Sequence, residues 1–337
     1  MSIVRPRDGD KVLWIRFSAF GDVLQSAASA CAFKRAYPGV RLTFLTRSEY
    51  GDILGKQPYI DDLLFWNVRK SPWDFFRLLR SIRGRYQWLI SLHRGGAAAL
   101  TALFSKAPIR LGYNSGMQFA YTTTHWEYLD ALGVDFTSRP EPAIFAAEED
   151  LERARSLLAQ LPPRRLLAII GASKPQKFWP VAHWIEFLRP LAAGGWGIVL
   201  NGHGPREAET AGAIEEALRS PSVLNLVGRT PFPLMAAVAR SCTAAVGNDT
   251  GPLHLAALTG TPTLGFFGVT DAWEMNFRMP WFREVRVSCP LAGCRNYACP
   301  QDCLADITPD RALAAFGELD ALYHLDREQV PTYNQIN

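Results

Sequence analysis

Residues 246–268 have the sequence VGNDTGPLHLAALTGTPTLGFFG, and this stretch decides the fold. Two short apolar runs flank a segment that is apolar on nearly every side, a pattern typical of two buried strands joined by a buried helix. Pro252 suits the first turn of that helix. Asp249, Thr250 and Gly251 precede it, and polar groups at the mouth of a buried element are costly unless they are paired or bind something. The amino end of this helix is therefore the first candidate site.

The same alternation of short apolar strands and longer helices extends over the whole chain, in two halves. The expected strands span residues 11–17, 40–46, 62–66, 88–92 and 109–113, then 166–171, 197–201, 223–226, 243–247 and 262–267. The expected helices span residues 23–36, 72–82, 148–161, 181–193, 206–219, 233–241 and 253–258. This alternation favours parallel βαβ units, so we predict an α/β protein with two doubly wound, Rossmann-like domains.

The expected boundary between the two domains lies in QLPPRR, residues 160–165, where two prolines separate a charged helix from the first strand of the second half. We therefore expect domains at residues 1–162 and 163–337, facing each other across a cleft. Ligands of such sheets collect outside the carboxyl ends of the strands. Motifs that directly follow a strand are accordingly the candidates for binding and catalysis.

The composition, 337 residues with 48% hydrophobic side chains, is ordinary for a globular protein. No apolar run approaches the ~20 residues of a membrane span, and the amino terminus lacks the pattern of a signal peptide. We therefore expect a cytoplasmic protein.

Positive charge is concentrated in the first half of the chain. Residues 69–110 contain nine Lys and Arg but a single acid, Asp74. Such a segment suggests an anionic partner, either phosphate groups or an acidic membrane surface, and we expect no nucleic acid partner. A basic face that is merely solvated is the alternative interpretation.

The first strand runs into Ser18-Ala19-Phe20-Gly21-Asp22 and then into a helix. A glycine in such a turn lets backbone amides approach a ligand, which makes Ser18 and Gly21 candidate ligand contacts. The single glycine does not match a dinucleotide fingerprint. Asp22 stands where a general base would face the expected cleft, although a carboxylate in a first helical turn is also an ordinary cap.

Two further motifs follow strands of the second half. Lys174 and Lys177 leave the first strand of that half and are well placed to neutralise a phosphate, unless they are solvated loop lysines. Glu207 stands in the first turn of a helix, where a carboxylate is stabilised in any case but would also suit a ribose diol or a base amine.

The amino terminus of the buried helix is a candidate anion site. Its unpaired amides and partial positive charge suit a pyrophosphate, and Thr250 and Gly251 would add a hydroxyl and an amide. Asp249 and His254 complete the motif. The alternative interpretation is an ordinary Asp/Thr cap beside a hydrogen-bonded core histidine.

Four of the six cysteines, Cys289, Cys294, Cys299 and Cys303, lie in one short segment near the carboxyl terminus. Their spacing differs from the C-x2-C pairs of most zinc sites, and a cytoplasmic context disfavours disulfides. Incidental thiols in a loop are the favoured interpretation, with a metal site or a redox-labile loop as the alternative.

Five segments together resemble the heptosyltransferases of glycosyltransferase family 9 in order and spacing. They are FSAFGDVLQS (17–26), KFWP (177–180), GHGPREAE (202–209), GNDTGPLHLAALTGTPTLGFFG (247–268) and CLADITPD (303–310). The resemblance covers about residues 11–315, and the segment at 247–268 is its most specific part. The cysteine-rich loop is more similar to the second heptosyltransferase of the lipopolysaccharide core than to the first.

This resemblance implies a GT-B architecture and inverting transfer of heptose from ADP-heptose to the inner core of lipopolysaccharide, on a lipid A–Kdo/heptose acceptor. By position, Asp22 resembles the catalytic base, Lys177 the phosphate-binding lysine and Glu207 the acid that holds the nucleoside. The other donor-binding positions that the resemblance implies are Asp249, Thr250, Gly251 and His254.

The resemblance also implies a phosphorylated, lipid-anchored acceptor and a peripheral position at the inner face of the cytoplasmic membrane. Arg94, Lys106 and Arg110 are our candidates for contacts with the phosphates of the acceptor. We expect no metal cofactor, because Lys177 and the helix amino terminus would neutralise the leaving group. The alternatives are a GT-B transferase or an epimerase that uses a UDP-sugar, and a binding protein without activity if Asp22 is only a cap.

Overall fold

The computed structural model describes residues 5–66, 71–112, 119–120, 129, 132–134, 141–272 and 279–325. The chain divides into two units, Met1–Phe145 and Ala146–Asn337. The division lies before the helix Glu148–Leu158, whereas the sequence predicts it after that helix, at residue 162. The reason is that this helix packs against Phe232–Arg240, a helix of the second unit.

The first unit is built on a parallel sheet. Its described strands are β1 Lys11–Ile15, β2 Arg41–Thr46, β3 Asp62–Phe65, β4 Trp88–Ser91, β5 Ile109–Gly112 and β6 Phe119–Ala120. They lie in the order β3-β2-β1-β4-β5-β6, and every adjacent pair is parallel. The carboxyl ends of these strands therefore share one edge, and the segment that follows β1 stands at the middle of it.

Helices cover both faces of this sheet. They are α1 Phe20–Ala36, the short α2 Gly51–Leu54, α3 Pro72–Ile82 and α4 Gly96–Ser105. α1 lies on the face of Trp14, whose indole nitrogen donates to the Ser26 hydroxyl at 2.9 Å. α3 and α4 lie on the opposite face, where Leu79 and Ala102 join Leu13 of β1 in one buried cluster.

The second unit repeats the architecture. Its described strands are β7 Arg165–Ile169, β8 Gly197–Asn201, β9 Val223–Asn225, β10 Ala244–Asn248, β11 Thr263–Phe267 and β12 Phe282–Arg286. They lie in the order β12-β11-β10-β7-β8-β9, again all parallel. Because β7 and β10 are neighbours, the segments that follow them meet at the carboxyl edge of this sheet.

The helices of the second unit are α5 Glu148–Leu158, α6 Val181–Ala193, α7 Pro205–Leu218, α8 Phe232–Arg240, α9 Gly251–Leu258 and α10 Pro309–Tyr323. α9 is buried from Leu253 to its end, as its apolar sequence predicts. An aromatic cluster lies behind the segment that follows β7: the ring of Trp179 is 4.5 Å from that of Phe266 and 4.9 Å from that of Trp184, between centroids.

The predicted α/β architecture with two doubly wound sheets is confirmed. Every predicted strand and helix occurs, with bounds that differ by at most three residues. Residue 113 of the fifth predicted strand lies outside the described residues. Five described elements were not predicted: α2, α4, β6, β12 and α10. Within the described ranges, every helix falls short of the length and hydrophobicity that crossing a bilayer requires.

Candidate active site

Asp22 stands in the first turn of α1, directly after the carboxyl end of β1. Its Oδ2 pairs with Arg16 Nη2 at 2.7 Å and accepts a hydrogen bond from the backbone N–H of Ala19 at 3.0 Å. The second contact is the helix cap that the sequence offers as the alternative interpretation. The side chain is still 30% exposed, so the cap leaves the carboxylate accessible to a ligand.

Other polar residues follow the neighbouring strands at this edge. Arg47 follows β2, and His93 and Arg94 follow β4. Burial, together with the Arg16 and Arg47 cations, lowers the pKa of His93 to about 4, so its ring is neutral near pH 7. Its ring packs edge-on against Phe17, with centroids 4.9 Å apart. The sequence analysis did not name Arg16, Arg47 or His93 as candidates. Their position at or just after the end of an apolar strand could have identified them, because ligands bind at that edge of a parallel sheet.

The three predicted acceptor contacts do not lie together. Arg94 is exposed at the carboxyl edge, where Asp22 also stands. Lys106 ends α4 and precedes β5, which places it at the opposite edge, roughly 15 Å away for strands of this length. Arg110 lies within β5, opposite Leu89 of β4. Of the three, Arg94 alone is at the edge that carries Asp22, and the contacts of all three with acceptor phosphates stay a prediction.

Ser18 and Gly21 flank the same turn as Asp22 and so belong to the first unit. The other predicted ligand positions, from Lys177 onward, belong to the second unit. The candidate ligand contacts thus belong to two different sheets, as the two predicted domains imply.

Asp249 follows β10 and is buried among three side chains. Its Oδ2 binds Lys177 Nζ at 2.5 Å and accepts a hydrogen bond from Thr270 Oγ1, while its Oδ1 lies 3.0 Å from Nε2 of His254. The side chains of Asp249 and His254 are 4% and 2% exposed, and that of Lys177 is 14% exposed. Asp249 therefore holds Lys177 in place through a buried ion pair. His254 is the hydrogen-bonded core histidine that the sequence analysis gives as the alternative interpretation.

Asn248 links the loop of Lys177 to the sheet. Its side-chain nitrogen donates to the carbonyl oxygens of Ile170 and Gly171, at 2.9 and 3.3 Å. Its side-chain oxygen accepts from the backbone N–H of Trp179 at 3.2 Å. The two ends of the loop that contains Lys177 are thus tied to one buried amide.

Charge explains why the Asp249 carboxylate is stable in so buried a place. Burial opposes its ionisation, but the hydrogen bond and charge of His254 and the charge of Lys177 hold the pKa of Asp249 well below its usual range. An ionised carboxylate that is paired in this way keeps the lysine in position near neutral pH.

We expect Asp249→Asn to lower the free energy of unfolding by about 3–5 kcal/mol near neutral pH, because it leaves Lys177 without its buried partner. A folded-state pKa below the unfolded value of about 3.9 contributes stability above that pH, and the contribution is lost as pH falls toward the folded value. The difference between wild type and variant should therefore shrink below about pH 4. Urea unfolding over a pH series measures it, with the exposed Asp310→Asn as the control; a difference that is constant over the series would contradict the assignment.

Thr250 caps α9, and its hydroxyl faces no partner within the described residues. The Thr250 Oγ1 atom is buried without a hydrogen bond, and it makes no side-chain cap contact. Gly251 and Leu253 contribute amides of the first turn, which lack acceptors inside the helix. A hydroxyl and amides at a helix amino terminus form a site for an anion.

Glu207 projects from the first turn of α7, beside the carboxyl end of β8. Its side chain is 7% exposed, and it has no hydrogen bond or ion pair among the residues that the structure describes. A Cβ atom at Gly202 would come within 2.8 Å of its Cγ, so only glycine fits there. Arg206, its neighbour, stacks over the ring of Phe178 at 3.8 Å. Glu207 is a buried carboxylate with unused acceptor atoms at the edge that carries Lys177.

The four clustered cysteines lie in a loop beside the carboxyl end of β11. All four are free thiols, and the loop is held there by backbone hydrogen bonds from Gly293 to Gly268, at 2.8 Å, and from Arg295 to Val269, at 2.7 Å. No group of three or more His, Cys, Asp or Glu side chains within the described ranges has the arrangement of a metal site.

The sequence contains one D-x-D pair, Asp8 and Asp10. Asp10 precedes β1 and its Oδ2 accepts hydrogen bonds from the Arg7 N–H and from Trp88 Nε1. The pair therefore lies at the amino edge of the first sheet, opposite to Asp22, and braces the start of β1.

A family model and the similar proteins of known function indicate the same family. A model of glycosyltransferase family 9 (heptosyltransferase) matches residues 75–304. The chain is 25% identical to lipopolysaccharide heptosyltransferase 1 of Pseudomonas aeruginosa over 77% of this chain and 79% of that protein. It is 24% identical to lipopolysaccharide heptosyltransferase 2 of Salmonella typhimurium over 90% and 96% of the two chains. These identities are too similar to favour one heptosyltransferase step.

Solved structures agree in fold. A family 9 glycosyltransferase from Veillonella parvula aligns with a TM-score of 0.82, at 19% identity, over 94% of this chain and 99% of its own. The E. coli ADP-heptose lipopolysaccharide heptosyltransferase II aligns with a TM-score of 0.72, at 20% identity, over 93% and 99%. The E. coli heptosyltransferase WaaC with ADP-2-deoxy-2-fluoro heptose aligns with a TM-score of 0.68, at 18% identity, over 91% and 99%.

Proposed function

The chain belongs to glycosyltransferase family 9, the heptosyltransferases, and we propose that it transfers heptose from ADP-heptose to the inner core of lipopolysaccharide with inversion at the anomeric carbon. The observation that carries this proposal is the anion site of the second unit. There, Lys177 is held by the buried Asp249 close to the loop that leads into α9. The Thr250 hydroxyl, at the amino terminus of that helix, has no hydrogen-bond partner among the described residues.

In this proposal the pyrophosphate of the donor lies against the first turn of α9. The amides of Gly251 and Leu253 and the Thr250 hydroxyl would donate hydrogen bonds to it, and the helix dipole would favour its negative charge. Lys177 would balance the charge that develops on the leaving ADP. Because these groups supply the positive charge, we propose that the transfer needs no metal ion.

Glu207 is the proposed contact for the nucleoside. Its side chain is 7% exposed and makes no hydrogen bond or ion pair among the described residues, so its carboxylate is available to accept hydrogen bonds from a ligand. The hydroxyls of a ribose, or the amino group of adenine, would supply them.

In the proposed reaction, the Asp22 carboxylate takes the proton from an acceptor hydroxyl. The acceptor oxygen bonds to the anomeric carbon while the bond from that carbon to the phosphate oxygen breaks, and its electron pair leaves with ADP. Arg16 holds the Asp22 carboxylate in place, and Arg94 offers a cation to an acceptor phosphate at the same edge. We place the reaction at the cytoplasmic face of the membrane, where a lipid-anchored acceptor would be reached by a peripherally bound enzyme.

The direct test is to incubate the protein with ADP-heptose and a series of truncated core acceptors and to measure the product masses. A gain of one heptose on one acceptor supports the proposal and identifies the step. The same reaction with added EDTA tests the metal-free mechanism, because a loss of activity that magnesium restores would contradict it. Absence of product with every acceptor would contradict the function itself.

Nucleotide preference separates this donor from the UDP-sugar alternative. We expect ADP to raise the melting temperature more than UDP or GDP at equal concentration, because stabilisation by a ligand follows its affinity for the folded state. Glu207→Gln should reduce the increase in melting temperature that ADP produces. The control Glu209→Gln, which alters an exposed glutamate of the same helix, should leave that increase unchanged. A larger shift with UDP than with ADP would favour the alternative.

A further inference from the structure

α3 has two apolar faces, although a helix that covers one side of a sheet buries only one apolar face against it. Leu78, Leu79 and Ile82 are buried against the sheet. Trp73 and Phe76, spaced so that they share the outward face, are 72% and 53% exposed and contact each other edge to face with centroids 6.4 Å apart. The outward face of α3 therefore presents two aromatic rings to the surroundings.

α4 repeats the arrangement beside it. Its sequence, GAAALTALFS, contains no charged residue, and its two hydroxyl side chains, Thr101 and Ser105, are buried. Leu100, Leu103 and Phe104 have the spacing of one outward face and are 44%, 61% and 37% exposed. A helix whose exposed face is wholly apolar is unusual for a surface that meets only water.

These five side chains form one surface, because α3 and α4 pack against each other on the same face of the sheet. We call this surface the apolar patch; its members are Trp73, Phe76, Leu100, Leu103 and Phe104. Large exposed apolar patches on soluble domains usually mark interaction sites.

Cations border the apolar patch. Arg77 and Arg80 continue the outward face of α3, and Arg83 and Arg85 follow its end; all four are exposed. The one acid between residues 69 and 110, Asp74, lies 3.6 Å from Arg77 at the surface. An aromatic surface beside guanidinium groups matches the interface of an anionic lipid bilayer, where rings insert among headgroups and cations meet lipid phosphates.

We propose that the apolar patch is the surface by which this protein binds an anionic membrane. The inference rests on the proposed function in one respect, since a lipid-anchored acceptor requires an enzyme at the bilayer. It goes further by assigning the contact to the outer faces of α3 and α4. The acceptor-binding edge with Asp22 belongs to the same unit, so docking through this patch brings that unit to the lipid surface.

A second copy of the chain is a less suitable occupant. In a symmetric dimer the same patch faces itself, so Arg77, Arg80, Arg83 and Arg85 of both copies would meet. Like charges brought together in this way repel, and Asp74 alone cannot neutralise them. An anionic bilayer faces the same cations with opposite charge.

The test is co-sedimentation of the full chain with vesicles of one part phosphatidylglycerol to three parts phosphatidylcholine, against vesicles of phosphatidylcholine alone. Binding is expected to the anionic vesicles and to weaken at high salt. The double variants Trp73→Ser/Leu103→Ser and Arg77→Gln/Arg80→Gln should each lower the partition coefficient about tenfold. Leu322→Ser/Arg153→Gln, which alters an exposed leucine and an exposed arginine of the second unit, should not change it.

Three outcomes would overturn the proposal: no binding of the wild type to anionic vesicles, binding by both patch variants as strong as that of the wild type, or a dimer in sedimentation equilibrium that Trp73→Ser/Leu103→Ser dissociates. Circular dichroism confirms that each variant is folded. Transfer to a deacylated, water-soluble acceptor separates this proposal from the proposed function, because the patch variants should keep wild-type transfer there. If the wild type itself fails with that acceptor yet binds vesicles, the function is wrong and the docking surface stands.

Discussion

Asp22→Asn is expected to lower the turnover of heptosyl transfer about 10²–10⁴-fold, the contribution typical of a general base. The amide is nearly isosteric and can still accept the hydrogen bond from the Ala19 N–H, so the first turn of α1 should keep its cap. It cannot take up the proton of the acceptor hydroxyl. Affinity for ADP, measured by calorimetry, should stay within a few-fold of wild type because the proposed donor contacts belong to the other unit.

The control is Asp52→Asn, which removes another first-turn carboxylate in the same unit, at the start of α2. It should alter neither turnover nor affinity. If Asp22→Asn leaves turnover unchanged, the carboxylate is only a helix cap, and the general base must be sought elsewhere on this edge.

Lys177→Ala is expected to lower transfer about 10²–10³-fold, the loss typical of removing one preorganised group that stabilises developing charge. It should also weaken binding of ADP, since a charge-assisted contact to the diphosphate is lost. Steady-state rates and calorimetry measure the two effects separately. Lys177→Arg, which keeps the charge but not the shape, should recover part of the rate.

Lys174 supplies a matched control three residues away in the same loop. Its ammonium group lies over the ring of Tyr297, 5.8 Å from the centroid, and is exposed. Lys174→Ala should therefore change the rate of transfer and the affinity for ADP little. If Lys174→Ala and Lys177→Ala lower the rate equally, the loop contributes only a general positive charge and Lys177 has no specific role. Since Lys177→Ala also unpairs Asp249, its melting temperature must be compared with wild type before the rates are interpreted.

The parts of the fold that follow from local pattern were predictable from sequence. Short apolar strands with turn residues between them marked ten of the twelve described strands, and α9 was recognisable because its residues are apolar all round. α4 was not predicted because two glycines precede a nearly uniformly apolar run, in which apolar and polar residues do not recur with a helical period. β12 is a short edge strand with three charged residues and two apolar ones, FREVR, and these do not alternate. α10 is amphipathic, and Thr308 caps its amino terminus. Both features can be read from the sequence, so this helix could have been predicted.

The candidate site was predictable as a set of positions but not as a set of contacts. That Asp249, Thr250 and Lys177 follow strands could be inferred from the sequence. That Asp249 pairs with Lys177, 72 residues earlier, depends on the adjacency of β7 and β10, which no local pattern encodes. For the same reason Lys106 was grouped with Arg94: both are basic and close in sequence, yet α4 carries the chain from one edge of the sheet to the other between them.

The buried amide of Asn248 has a consequence for the kinetics of donor binding. Because it secures both ends of the loop that contains Lys177, the entropy of ordering that loop is lost during folding rather than during encounter with the nucleotide. The lysine is thus preorganised, and ADP meets a cation that is already in position. Association should accordingly be a single step governed by diffusion and charge, with no slower phase of loop closure in stopped-flow traces on this side of the site.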